Sequence, residues 1–327
     1  MKTFAHYSPE TLKEASELLV AHRGAGRVNA GGTDLLGVLK DDIHPEYPEA
    51  LISLKRIPGL DAIELREGEL SIGCMARIAD LARVADDGFA LIRQAARSVA
   101  GPQIRAVGTA GGNLCQEVRC WYYRYPRHIG GPVSCLRKGG KTCPAVKGDN
   151  RYHAIMAAKR CFAVCPSDLA VALAALDATV LVSGPGGTRT QPIADLYTNL
   201  GTVLDQGDIL TEIRVPRPPA EAWQRYRKMT VRKSIDFALV SVAVVLSIED
   251  GACTAARIAL GGVAPIPLRA KEAEETLLGR PLDEETVSLA ARAAVAAARP
   301  LRRNAYKVSV AKALIRETLL ASAASAA

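Results

Sequence analysis

Val28-Asn29-Ala30-Gly31-Gly32-Thr33-Asp34-Leu35 is the stretch on which the reading of this chain turns. A short strand, Arg27 to Ala30, runs directly into a glycine pair. A turn without side chains presents consecutive backbone N–H groups to whatever approaches, and phosphate is its natural guest. A second turn, Thr109-Ala110-Gly111-Gly112-Asn113, adds a hydroxyl and an amide that can bond phosphate or polyol oxygens. Neither is a G-x-G-x-x-G or Walker motif, and glycine pairs also serve as plain structural punctuation. Two such turns, each expected to follow a strand, strengthen the ligand reading over the structural one.

Working outward, Ser8-Pro9 opens a helix whose Leu12, Ala15, Leu18 and Leu19 share a face. Leu51 to Leu54 and Leu70 to Cys74 read as strands, and Ile78 to Ala85 and Ala90 to Ala100 as helices. Ile104 to Leu114 reads as turn and strand. Ser167 to Leu176 is a helix capped by Ser167 or Asp168, and Thr179 to Ser183 is a strand. The proline-rich Arg214 to Pro219 marks a domain boundary. Beyond it, Ala238 to Ile248 and Cys253 to Leu260 form a hairpin through Glu249-Asp250-Gly251. Two helices, 283–298 and 304–321, close the chain with Asp283 and Asn304 as caps.

With 327 residues, 49% of them hydrophobic, the chain has material for two domains. No continuous apolar run resembles an export signal or a membrane span, so the expected location is cytoplasmic with no membrane contact. Six of the eight cysteines fall between Cys115 and Cys165. So do ten basic residues (Arg119, Arg124, Arg127, Arg137, Lys138, Lys141, Lys147, Arg151, Lys159, Arg160) against Glu117 and Asp149, which accounts for the net charge of +8. Basicity confined to one segment argues against a nucleic-acid surface. Clustered thiols in a reducing compartment point to metal or redox chemistry.

Cys120, Cys135, Cys143 and Cys161 are separated by fourteen, seven and seventeen residues. Zinc sites favour paired C-x-x-C knuckles, which are absent, whereas iron–sulfur clusters take four thiolates at irregular spacing. Unliganded structural thiols are the third possibility. A loop this long is uncommon without a function to organise it.

The two glycine turns, in this order and separation, resemble the paired FAD-pyrophosphate motifs of the flavin-binding medium subunits of the xanthine dehydrogenase and carbon monoxide dehydrogenase family. The likeness continues through Pro166-Ser167-Asp168, Gly207-Asp208-Ile209-Leu210, Tyr226 to Val242 and Leu260-Gly261-Gly262-Val263-Ala264-Pro265. It implies that Val28 to Leu35 and Thr109 to Asn113 cradle the pyrophosphate and ribityl of FAD. It also places Val99 near the cofactor, Asp168 in contact with it through its carboxylate, and Leu210 and Lys228 at the flavin end. Without the likeness, Lys228 reads as a solvated strand lysine. Asn113-Leu114-Cys115 leading to Arg119-Cys120-Trp121-Tyr122-Tyr123 is similar to the flavin subunit of 4-hydroxybenzoyl-CoA reductase, whose inserted loop binds a [4Fe-4S] cluster. That implies Cys120, Cys135, Cys143 and Cys161 as ligands, with Cys165 in reserve because it lies close to Asp168.

The implied fold is α+β: a two-lobed FAD domain of vanillyl-alcohol-oxidase type over 1–216, split near 56 and interrupted by the insert at about 115–165, then a smaller carbon-monoxide-dehydrogenase-flavoprotein-like domain over 222–327. The implied partners are a molybdopterin-binding large subunit and a small subunit with two [2Fe-2S] clusters, assembled as a dimer of heterotrimers, with ferredoxin or NAD as external carrier. Rival readings are a hydroxylase-type flavin subunit that passes electrons out, a self-contained FAD enzyme, and a zinc-stabilised binding module.

Overall fold

The computed structural model describes residues 1–131, 133–232 and 235–326, so Pro132, Lys233, Ser234 and Ala327 of the expected segments lie outside the described residues. It is a mixed α+β structure. At the N-terminus, Ala5–Tyr7 and Gly26–Asn29 flank Ala50–Ser53 in a parallel three-stranded sheet. All four residues of Ala50–Ser53 are buried, as a central parallel strand requires. The helix Leu12–Ala21 connects the outer strands. Its cap is Thr11, whose hydroxyl accepts from the Glu14 N–H while the Glu14 carboxylate accepts from the Glu10 N–H. This reciprocal capping displaces the expected start at Ser8-Pro9.

A five-stranded antiparallel sheet follows, ordered Ile63–Arg66, Glu69–Gly73, Ile209–Pro216, Thr179–Gly184 and Gly187–Pro192. The register of Ile209–Pro216 slips between Leu210 and Glu212, a bulge at Thr211. Ile104 to Leu114 is not strand. It forms two short helices, Pro102–Val107 and Ala110–Leu114, the first opened by a proline at its start and the second capped by Thr109. The second glycine turn therefore follows a helix and opens another.

Asp168–Ala175 is buried at every position and packs between the helix Ala90–Ser98 and the C-terminal sheet. Of the two candidate caps it is Ser167 that accepts from the Ala170 N–H. The C-terminal sheet runs Trp223–Met229, Val240–Glu249, Ala252–Gly261, Leu268–Arg269, with the expected hairpin closed by Asp250-Gly251. Helices Glu284–Ala293, capped by Asp283, and Tyr306–Ala326 cover it. Asn304 does not cap with its side chain. Its amide donates to the carbonyls of His153 and Ala154 and so ties the C-terminal part to the cysteine insert. Among the described residues the insert carries only single turns, Arg127–Gly130, Leu136–Lys138 and Pro144–Val146, and its Val118, Tyr123, Cys135 and Cys161 share a small core with Val38 and Ile43 of the N-terminal part.

Candidate functional site

Two hollows of about 1010 and 1160 Å³ share Thr33, Asp34, Thr109, Gly112 and Gln116, and together form one elongated cleft. Both glycine turns line it. Gly32 has φ +72°, a conformation that a β-branched residue resists, and it lets the chain reverse between the strand Gly26–Asn29 and the helix Leu35–Lys40. Gly31 lies so close to the Val107 carbonyl that an added Cβ would fall upon it. The first turn is thus packed against the backbone that leads into the second. Thr109 accepts from the Gly112 N–H at 3.2 Å and caps the second turn, whose Ala110, Gly111 and Asn113 N–H groups donate to the carbonyls of Ala76, Cys74 and Thr109.

Val28, Ala30, Gly31, Gly32, Thr33, Asp34 and Leu35 line the first hollow, along with Thr109, Gly111, Gly112 and Leu210. Val99, Asn113, Asp168 and Lys228 line the second. Asn29 and Ala110 line neither hollow. Asn29 accepts from the Leu54 N–H, and Ala110 is fully buried, its N–H donating to the Ala76 carbonyl. Leu210 and Lys228, expected to flank the flavin end, line different hollows of the cleft, one from the five-stranded sheet and the other from the C-terminal sheet.

Asp168 is held from two sides. Its Oδ1 accepts from the Tyr226 hydroxyl at 2.7 Å and its Oδ2 from Lys228 Nζ at 2.6 Å, the paired side chains being 9% and 6% exposed for Lys228 and Asp168. Lys228 also donates to the Ser98 carbonyl at 3.0 Å. Burial, reinforced by the Asp168 charge, holds Tyr226 as a phenol far above its ordinary titration range. Lys228 is therefore a buried, paired lysine at the cleft wall and not a solvated one. Tyr226 stands at the start of the Tyr226 to Val242 likeness, where a hydroxyl on a strand gives no local sign of a partner 58 residues away.

Asp34 joins the cleft wall to the insert. Its carboxylate takes Arg119 at 2.6 Å, Arg124 at 2.6 Å and the Glu117 N–H at 2.8 Å. Burial pulls the Arg119 guanidinium down to about 10, against the upward effect of Asp34. Arg119 also lies over the Phe237 ring at 4.5 Å, at the second hollow. Arg137 donates to the carbonyls of Leu200 and Asn199, and Arg127 to those of His44 and Pro45. Four of the ten basic residues thus lock the insert onto the rest of the chain, while Lys141, Lys147, Lys159 and Arg160 are exposed.

Cys120, Cys135, Cys143 and Cys161 all line one small, partly open cavity of about 290 Å³, walled by Tyr122, Tyr123, Leu136 and Pro144 among others. Burial pushes the Cys120 thiol up to about 11. His153 Nε2 lies 3.2 Å from Cys120 Sγ, and Arg137 Nε donates to Cys161 Sγ at 3.4 Å. Cys165 lies elsewhere, in the main core beside Leu169, its thiol pushed up to about 12 by burial. Among the described residues, no group of three or more His, Cys, Asp or Glu side chains is gathered as a single metal ion requires. No helix among the described residues is long and apolar enough to cross a membrane.

Residues 2–218 match the FAD binding domain in molybdopterin dehydrogenase, and residues 224–322 match the CO dehydrogenase flavoprotein C-terminal domain. The chain is 36% identical over 340 residues to the aldehyde oxidoreductase FAD-binding subunit of Escherichia coli (strain K12), covering 100% of both. It is 29% identical over 328 residues to the carbon monoxide dehydrogenase medium chain of Hydrogenophaga pseudoflava, covering 98% of this chain and 96% of that one. Among solved structures, carbon monoxide dehydrogenase from Hydrogenophaga pseudoflava superposes with a TM-score of 0.77 at 28% identity, over 97% of this chain and 96% of that one. Quinoline 2-oxidoreductase from Pseudomonas putida 86 does so with 0.77 at 26%, over 100% and 99%. The chain belongs to the FAD-binding medium subunits of the molybdenum hydroxylase and carbon monoxide dehydrogenase family.

Proposed function

We propose that the chain is an electron relay that holds FAD in the cleft and a [4Fe-4S] cluster on Cys120, Cys135, Cys143 and Cys161, with 1–216 as the flavin part and 222–327 as its C-terminal companion. Within a complex with a molybdopterin-binding large subunit and a small subunit bearing two [2Fe-2S] clusters, bound flavin and cluster would supply one-electron exchange with an external carrier. The single observation that carries this reading is the convergence of those four cysteines, and not Cys165, on one cavity. A zinc ion draws its thiolates to about 2.3 Å of one centre, whereas a cubane gives each thiolate its own iron and holds them further apart. The donor set that lines the cavity is four cysteines with no carboxylate among them, which suits a four-thiolate cluster.

The chain's own residues have separate tasks. In this reading the first turn offers backbone N–H groups to the pyrophosphate, the second brings Gly111 and Gly112 to the cleft wall without side chains, the Lys228 ammonium offers positive charge toward a reduced flavin, and Tyr226 with Asp168 fixes that ammonium in place. The 4-hydroxybenzoyl-CoA reductase likeness suggests electrons entering from a ferredoxin. A second reading, with electrons leaving FAD for NAD or ferredoxin, is favoured by relatives named as an aldehyde oxidoreductase and a carbon monoxide dehydrogenase. Both readings need the same sites and differ in direction.

Stopped-flow reduction of flavin from each side tests the relay. Cys143→Ser should slow exchange with a low-potential ferredoxin and leave reduction from the molybdenum side nearly unchanged. Reversal of charge at the exposed Lys141, Lys147 and Arg160 should lower the ferredoxin on-rate, an effect that added salt diminishes. Arg137 and Lys138 are unsuitable for that purpose, since Arg137 holds carbonyls and Lys138 lies over the Tyr123 ring. Equal losses from both directions would mean that the insert supports folding alone.

A further inference from the structure

We propose that His153 sets the reduction potential of the cluster by donating its Nε2–H to Cys120 Sγ; the inference rests on the cluster reading above. The ring nitrogen and the sulfur are 3.2 Å apart, and His153 is 3% exposed. A ligating cysteine is a thiolate without a proton, so the hydrogen of this contact belongs to the imidazole. The other ring nitrogen, Nδ1, is buried and has no hydrogen-bond partner among the described residues. Sulfur is thus the one polar contact that the ring makes.

The ring is fixed from several directions. The His153 N–H donates to the Asn150 carbonyl at 3.0 Å, and its carbonyl accepts from Asn304 Nδ2 at 3.1 Å and Lys307 Nζ at 3.1 Å. Trp121 meets the imidazole edge-on with centroids 5.9 Å apart. Residues of the C-terminal part, remote in sequence, therefore aim a donor at a cluster ligand. Arg137 supplies a second donor, to Cys161, but its guanidinium also serves Leu200 and Asn199 and is partly in solvent. His153 is the drier of the two. When the cluster gains one electron, part of the added charge resides on its sulfurs. An N–H aimed at a ligand sulfur from a site shielded from water stabilises that reduced form and raises the potential.

The test is an EPR-monitored redox titration of the full chain, prepared anaerobically, with iron, labile sulfide and FAD measured on the same samples. His153→Phe keeps the ring volume and removes the donor. It should retain iron and flavin while the ratio of reduced to oxidised cluster falls roughly tenfold at fixed solution potential, a downward shift of about 59 mV for a one-electron couple. His153→Gln restores an N–H and should recover part of the shift. A fully loaded His153→Phe with the wild-type potential overturns the proposal. Should that variant fail to load iron, wild-type chain labelled with ¹⁵N-histidine decides: hyperfine coupling of a ring nitrogen to the reduced cluster supports the contact, and its absence overturns it. Wild-type chain that contains flavin but no iron sinks the cluster reading itself, an outcome distinct from either of these.

Discussion

Asp34 offers the sharpest test of how the flavin loop and the cysteine insert depend on one another. Asp34→Asn keeps an acceptor for the Glu117 N–H but removes the carboxylate that Arg119 and Arg124 share. The three side chains are 16%, 24% and 18% exposed, between the regimes of surface and buried pairs. Removing one partner of a buried pair costs about 3–5 kcal/mol, and an exposed pair contributes at most about 1 kcal/mol. Both guanidiniums keep other acceptors: Gln116 Oε1 for Arg119, and the Val118 and Glu117 carbonyls for Arg124. The cost should therefore fall near 2 kcal/mol, a roughly 30-fold increase in the opening of the insert from the loop. Amide hydrogen exchange across 117–124, with and without saturating FAD, measures it. Faster exchange there and weaker FAD binding are expected, with exchange in Val240–Glu249 unchanged. Unaltered exchange in the insert together with wild-type FAD affinity would refute the coupling.

Further expectations follow from the cleft. Gly32→Val forces a β-branched residue to φ +72° at a cost of about 1–3 kcal/mol and should yield flavin-free protein, and Gly112→Val should do so by crowding the Thr109 hydroxyl that caps the turn. Absorbance and flavin release after denaturation decide it, and stoichiometric FAD in both variants would remove these loops from the site. Lys228→Met leaves the Asp168 carboxylate buried without its cation and should destabilise the fold by about 3–5 kcal/mol, while the double variant with Asp168→Asn recovers much of that. Thermal unfolding of the three variants checks it, and an unchanged Tm for Lys228→Met would contradict the pairing.

The glycine pairs were legible as turns and the cysteine-rich segment as an insert from composition alone, whereas the cofactor cradle and the choice of Cys161 over Cys165 came from the family likeness. The hairpin and the buried helix Asp168–Ala175 were equally plain, their period and turn residues being local. What escaped was relational. Asp34 and Arg124 are 90 residues apart, and Tyr226 and Asp168 are 58 apart, so no periodicity couples them. His153 sits 33 residues beyond Cys120, in a segment without regular structure. The Ile104 to Leu114 stretch misled because its glycines suggested a turn after a strand, whereas Pro102 and Thr109 each start a short helix. The helix start at Thr11 was missed for a related reason, since a reciprocal cap with Glu14 outweighed the serine–proline pair upstream.

The central claim, that one chain holds both FAD and a four-thiolate cluster, is tested most directly by metal and cofactor analysis of anaerobically purified chain as wild type, Cys161→Ser and Cys165→Ser. The account predicts one FAD with about four iron and four labile sulfide in the wild type, the same in Cys165→Ser, and loss of iron with retention of flavin in Cys161→Ser. Zinc in place of iron, or iron lost from Cys165→Ser and kept in Cys161→Ser, would contradict it.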